Sequence, residues 1–200
     1  MRLVMPRQKH ARAEAGFTLI ELLVAVLVFV ILTALAVPSF TTYLEKSRVR
    51  GAADSVVNAI AQARQVAVKY DRNVSLATAG SGTAWCIGAK EAADPTPGDQ
   101  AGAAAACDCG TDATQCTVDG QQLIVDGGAF PNVAISSNAS TLAFDGRLGL
   151  RSDGSVGNAD ESSFDLTAPS GRYAVTVKIS PLGTASVCNK TGNILGYPAC

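Results

Sequence analysis

From Leu22 to Val37 the chain runs sixteen residues with Thr33 as the only polar side chain. Counted with Phe17 to Ile20, the apolar stretch reaches about twenty residues, close to the length that crosses a bilayer core as a helix. One residue interrupts it. Glu21 is a carboxylate where a simple anchor would carry leucine. A charge at the middle of a membrane helix costs about 2.5–3.5 kcal/mol. Glu21 therefore either marks a helix end near the interface or meets a positive charge inside the membrane. Arg2, Arg7, Lys9 and Arg12 precede the stretch against Glu14 alone. That imbalance keeps the N-terminus cytoplasmic and the bulk of the chain on the far side. An ordinary secretory signal ends in a small-residue cleavage site after its apolar core. Here the glycine, Gly16, stands before the core, so cutting there leaves the apolar helix on the mature protein.

Pro38 is expected to kink or locally melt the helix, because proline lacks an N–H and crowds the preceding turn. The helical pattern then resumes: Val49, Ala53, Val56, Ile60, Ala63, Ala67 and Tyr70 step by alternate fours and threes and draw one apolar stripe. Glu45, Arg48, Asp54, Gln62, Arg64 and Lys69 fall off it. A helix from Phe17 to Tyr70 is about 80 Å long, and the small alanines of its second half suit packing on a sheet. Beyond Tyr70 the texture becomes β. Strands are expected at 74–79, 83–87, 122–125, 133–136, 141–144, 163–167, 173–180 and 184–188, with Gly80-Ser81-Gly82 as a hairpin turn. The fold class is α+β, with a long N-terminal helix packed on a C-terminal antiparallel β-domain. The expected divisions are a leader at 1–16, a membrane helix at 17–38, an amphipathic continuation at 39–70 and a β-rich domain at 71–200, with a Gly/Ala/Asp-rich insertion at 90–117.

That insertion lacks apolar bulk, so its order must come from its cysteines. All six cysteines, Cys86, Cys107, Cys109, Cys116, Cys188 and Cys200, follow the membrane segment, as disulfides in an oxidising compartment do. Cys188 with Cys200 staples the C-terminal loop to the last strand. Cys107 and Cys109 stand too close to pair, so each reaches toward Cys86 or Cys116. A metal site built from Cys107, Cys109 and Cys116 is the rival; the spacing matches no common zinc pattern, and the single histidine, His10, is remote. Trp85, beside Cys86, is expected to pack on a disulfide.

Catalytic constellations are missing from this pattern. No histidine follows His10 to serve as a general base, the glycine-rich turns have no strand-to-helix context, and Asp145, Asp153 and Asp160 have no EF-hand spacing. No cofactor or metal is implied. From Asp71 to Cys200 seven basic residues face thirteen acidic ones, a balance of −6 that does not draw a domain to phosphate backbones.

The basic leader, Gly16 and the run Phe17-Thr18-Leu19-Ile20-Glu21 resemble the type IV prepilins. "AQARQVAVKYDRNVSL" and "FDGRLG" are similar to the GspH/FimT/FimU branch of minor pilins and pseudopilins. The resemblance covers most of the chain outside the cysteine insertion. It implies that a prepilin peptidase cuts after Gly16 and N-methylates Phe17, and that Glu21 neutralises the new N-terminus of a neighbouring subunit, fixing register. It further implies a non-catalytic minor pilin near a filament tip that helps initiate assembly, with Glu21 and Pro38 serving assembly. The implied partners are other minor and major pilins, and the implied location is the inner membrane with the globular domain in the periplasm. A type II secretion pseudopilin is the alternative. A DNA-binding branch of FimT proteins is a second, reading DNA through a C-terminal Gly-Arg-x-Arg motif. Here Thr184 and Ser186 stand where those arginines would be, so Arg147, Arg151, Arg172 and Lys190 are the DNA-contact candidates and DNA is not favoured.

Overall fold

The computed structural model describes residues 16–92, 107–139, 141–151 and 162–200. The basic residues of the leader, His10, residues 93–106 of the insertion, Asp153 and Asp160 lie outside the described residues. The chain divides into two compact units, Met1–Thr41 and Thr42–Cys200.

One helix, α1 (Leu19–Tyr70), begins in the first unit and ends in the second. It starts two residues later than the apolar pattern suggests, because Thr18 serves as its cap. The melting expected at Pro38 does not occur: α1 is unbroken through that position. A proline removes one bond from the ladder, and the helix continues through the loss on both sides. Thr33, the polar residue of the apolar stretch, satisfies its hydroxyl on Phe29 O and Val30 O at 3.0 and 2.9 Å.

The second unit is built on the C-terminal half of α1. Val49, Ala53, Val56, Ile60, Ala63 and Ala67 are buried, joined by Ala52 and Ala59 on the adjoining line. The stripe is thus wider than one row of side chains, as a helix lying on a sheet requires. Burying a valine or isoleucine in full contributes about 1.5–3 kcal/mol. Tyr70 does not belong to this face. It is exposed, accepts from Lys69 Nζ at 2.7 Å and donates to Asp119 Oδ2 at 2.8 Å. The helix then ends at once. Asp71 takes a left-handed φ of 50°, and Arg72 N returns to Ala67 O at 3.1 Å, closing a Schellman motif.

Two antiparallel four-stranded sheets follow. The first has the order β5-β2-β1-β7, from β1 (Val74–Ser81), β2 (Ala84–Glu91), β5 (Ile124–Asp126) and β7 (Thr141–Phe144). The second has the order β10-β9-β8-β6, from β6 (Ala134–Ser137), β8 (Ser162–Thr167), β9 (Ala174–Ile179) and β10 (Ala185–Thr191). The β1–β2 turn is the two-residue Gly82-Thr83, with Gly82 at φ +61°, one step later than the Gly80-Ser81-Gly82 expectation. Leu76 and Ile87 of the first sheet, Phe164, Val175 and Val177 of the second, and the α1 stripe share one core. Strand β9 is covered on both faces, as its lack of strict alternation suggests: only Lys178 among its six residues escapes burial.

At the C-terminal end of the insertion and just beyond it, β3 (Thr117–Val118) and β4 (Gln121–Gln122) form a small hairpin. Asp119 and Gly120, at φ 55° and 69°, make its turn. Asp-Gly is the pair that a two-residue turn with both residues left-handed demands.

Candidate functional site

The N-terminal segment can be built residue by residue. Gly16, Phe17 and Thr18 precede the helix, exposed, with Phe17 the most exposed of the large apolar residues at 81%. Thr18 Oγ1 accepts from Glu21 N at 3.3 Å, and Leu22 N donates to Thr18 O at 3.2 Å. Thr18 is therefore the N-cap of α1 and Glu21 its third residue, the order of a capping box. A carboxylate in the first turn also faces the positive end of the helix dipole. Both effects bear on why a charge stands here, and the Thr-x-x-Glu spacing was legible in the sequence without being read there. From Leu19 to Phe40 large apolar side chains are exposed all round the helix, Leu19 at 78% and Leu35 at 70% among them. Such a surface far exceeds what a soluble monomer leaves in water, and α1 is long and apolar enough to cross a membrane.

The cysteines form three disulfides among the described residues: Cys86–Cys109, Cys107–Cys116 and Cys188–Cys200. The first two lie together on one face of β2. A β-carbon at Gly88 would sit 2.5 Å from Cys116 Sγ and 2.6 Å from Cys107 Sγ, so the glycine admits them. Trp85 is on the other face, because neighbouring residues of a strand point opposite ways. It stacks on Phe130 with ring centres 6.4 Å apart, donates Nε1 to Val133 O at 2.9 Å, and leaves no room for a side chain at Gly127. The expectation that it packs on a disulfide is corrected accordingly. With all six sulfurs bonded to one another, Cys107, Cys109 and Cys116 have no thiolate to offer a metal.

The C-terminal disulfide closes a clasp. Asn189 holds it, donating Nδ2 to Ile194 O and Tyr197 O at 3.2 and 2.7 Å. Tyr197 reaches α1, where its hydroxyl donates to Asp54 Oδ1 at 2.6 Å and its ring meets the Arg50 guanidinium at 5.9 Å. Partial burial, then the Asp54 carboxylate, push the phenol up to about 12.

The basic candidates fare unequally. Arg147 and Arg172 are exposed. Arg151 is 2% exposed, its Nη1 donating to Ile179 O at 3.2 Å and its backbone bridging Phe144. It ties β7 to β9 and presents no charge to a phosphate. Lys190 is paired with Asp165, whose other oxygen accepts from Thr176 at 2.6 Å. Asp145 caps its own turn, accepting from Leu148 N and Gly149 N at 2.6 and 3.0 Å. The four basic residues thus do not offer a common set of accessible charges: one is buried and one is paired. The "FDGRLG" segment instead works through its glycines. A β-carbon at Gly146 would sit 2.4 Å from Arg72 N, and one at Gly149 would sit 2.9 Å from Val68, so this loop presses on the end of α1. Arg64 Nε donates to Gly149 O at 3.0 Å and fixes the contact.

The model of the family described as type II transport protein GspH matches residues 52–183, and that of the prokaryotic N-terminal methylation motif matches residues 11–37. No curated protein is similar enough to match the chain. Among solved structures, one crystal structure of the type IV minor pilin FimU from Pseudomonas aeruginosa is 15% identical, covering 72% of this chain and 91% of that one at a TM-score of 0.45. A second FimU crystal structure from the same organism is 14% identical over 69% and 90%, with a TM-score of 0.42. The GspH match spans well over half of the chain, including the part of α1 from Ala52 onward, the first sheet, three strands of the second and the loop that presses on the helix end; together with the methylation motif ahead of it, it shows that the chain belongs to the GspH family of pilin-like proteins.

Proposed function

We propose that the chain is a minor filament subunit, cut after Gly16, N-methylated at Phe17, and held in the inner membrane by α1 until it enters a pilus near its tip, where it helps initiate assembly. The observation that carries this reading is the junction itself. Gly16 and Phe17 are exposed immediately before the cap of an apolar helix, and Glu21 follows within the first helical turn. A peptidase needs an accessible peptide, and a new N-terminal cation beside an uncovered apolar helix needs a carboxylate. The function is structural, expressed through contacts with other pilins.

A second reading is supported by the family description, which is that of a type II transport protein. In it the same processing yields a secretion pseudopilus. A DNA-binding role has less support: of the four candidates only Arg147 and Arg172 are exposed with no carboxylate held to them among the described residues, and the domain is acidic overall.

Two experiments test the proposal. Gly16→Trp in the host should leave the leader attached, visible as slower mobility on a gel; unchanged mobility sinks the cleavage assignment. Tagged full-length chain, gently crosslinked and identified by mass spectrometry, should bring down pilins. Recovery of secretion pseudopilins instead transfers the chain to the export machine, and recovery of neither overturns the filament reading.

A further inference from the structure

The outer edge of β10 is only half covered. In the β9–β10 ladder Ser180 N donates to Thr184 O, and Asn189 uses its backbone outward, accepting from Cys200 N at 3.1 Å and donating to Pro198 O at 2.7 Å. The antiparallel register pairs Ser186 with Lys178 and Cys188 with Thr176. Bonding alternates along such a pair. The N–H and C=O of Ala185 and Val187 therefore point away from β9, as those of Asn189 do. At Asn189 the C-terminal tail takes these groups up through a parallel bridge to Ala199. At Ala185 and Val187 no partner is present among the described residues. Edges β6 and β7 are each met by a bridge, Ile135 to Gly82 and Phe144 to Arg151. A bare edge without proline or an inward charge is what strand addition uses.

Beside this open edge lies a groove of about 620 Å³ between α1 and the two loops that flank Arg64. Val57, Ala61, Val68 and Leu148 give it an apolar floor, and Ala185 forms part of its wall. Leu148 is 66% exposed and Val68 45% exposed. Arg64 and Lys69 line the groove, and among the described residues no carboxylate does.

We propose that this edge and groove bind an extended segment of a different polypeptide, which adds a strand along Ala185–Val187 and sets an apolar side chain, with a carboxylate beside it, into the groove. The occupant's extended form follows from the unpaired backbone groups, its apolar side chain from the floor, and its acidic residue from Arg64 and Lys69. A second copy of this chain does not fit. Two β10 edges facing each other would bring no carboxylate to Arg64 and Lys69, because Ala185-Ser186-Val187 carries none. The surface belongs to the second unit alone and does not depend on which filament, if any, incorporates the chain.

The test uses the full-length chain in detergent, isotope-labelled for amide resonances, with the acetylated and amidated peptide Thr-Val-Glu-Val-Thr-Val as the probe. The expected result is binding that shifts the Ala185 and Val187 amides and slows their hydrogen exchange. Methylating every peptide nitrogen should weaken binding at least about tenfold, the loss of two or more net hydrogen bonds. Ala185→Pro removes an outward N–H that no ladder bond uses, and Ala61→Glu puts a carboxylate on the exposed groove floor; each should weaken binding by a similar factor while amide shifts elsewhere stay put. Equal affinity for the methylated and unmethylated peptides overturns the proposal. So does the absence of binding at millimolar peptide, or protection of the two amides that appears on concentrating the chain alone.

Discussion

Gly88→Ala tests the most confined packing in the domain. The added methyl would sit 2.5 and 2.6 Å from two sulfurs and 3.2 Å from Cys109 Cβ, and carbon atoms need about 3.5 Å or more from such neighbours. The sulfurs cannot retreat separately, because Cys107 and Cys116 are bonded to each other and Cys109 to Cys86. Overpacking of a tight site costs about 1–3 kcal/mol, and tethered neighbours put this one at the upper end. For a domain of this size that lowers the Tm by roughly 5–10 °C. If the strain instead prevents closure of Cys107–Cys116, a loop with a sequence separation of 9 is released, and the chain-entropy cost is about 3 kcal/mol. Circular-dichroism melting of the full chain in detergent gives the first number. A thiol count under denaturant separates the two routes: none free for strain alone, two free for a lost bridge. The companion variant Cys107→Ala/Cys116→Ala removes both sulfurs, and in that background Gly88→Ala should cost at least about 1 kcal/mol less. An unchanged Tm with every cysteine oxidised would refute the reasoning.

Three further outcomes are expected. Trp85→Phe leaves Val133 O without its donor and should lower stability by about 1–3 kcal/mol in a urea titration, while the native tryptophan, buried on Phe130, should emit to the blue and shift red on unfolding. Arg151→Ala should cost about 3 kcal/mol, since it strips a buried carbonyl of a charged donor, and should leave retention on a DNA column unchanged; a loss of retention at full stability refutes the structural role. Tyr197→Phe should cost about 1 kcal/mol at neutral pH. Because the folded phenol titrates near 12 against an ordinary 10.0, the clasp's contribution is whole below pH 10 and is lost as the pH rises through 12, so the gap between wild type and variant should close over that window.

How much of this was legible in the sequence differs by the range of the interaction. The α1 stripe follows from a local period, and six of its seven residues are buried; Tyr70 fails because it is the last helical residue, where the chain already turns away through Asp71. The β3–β4 hairpin escaped because strands of two residues are too short to alternate, although Asp119-Gly120 announces the turn. Trp85 was misplaced because adjacency along a strand means opposite faces. Arg147 and Arg151 look alike in "GRLGLR", yet the bridge from Phe144 draws only Arg151 into the sheet. The groove beside β10 had no local signature. It arises where Gly149 and Gly183 let two loops approach Arg64, a tertiary fact that no window of sequence contains.

Glu21 has two physical roles that one substitution can separate. It is the third residue of a capped helix, and under the proposed processing it also neutralises the new N-terminal cation of a neighbouring subunit. As a carboxylate in the first turn it further meets the positive end of its own helix dipole, which is worth about 0.3–1 kcal/mol. Glu21→Val keeps the backbone bond to Thr18 Oγ1 but removes both the polar side chain of the third position and its charge, and so cannot tell them apart. Glu21→Gln keeps the capping-box geometry, in which glutamine is as acceptable as glutamate, and removes only the charge. If charge pairing governs entry into the filament, Glu21→Gln should incorporate as poorly as Glu21→Val when filaments are sheared and blotted, with both variants still membrane-bound. A Gln variant that enters filaments like wild type would refute the pairing and leave the cap as the reason this carboxylate stands in an apolar helix.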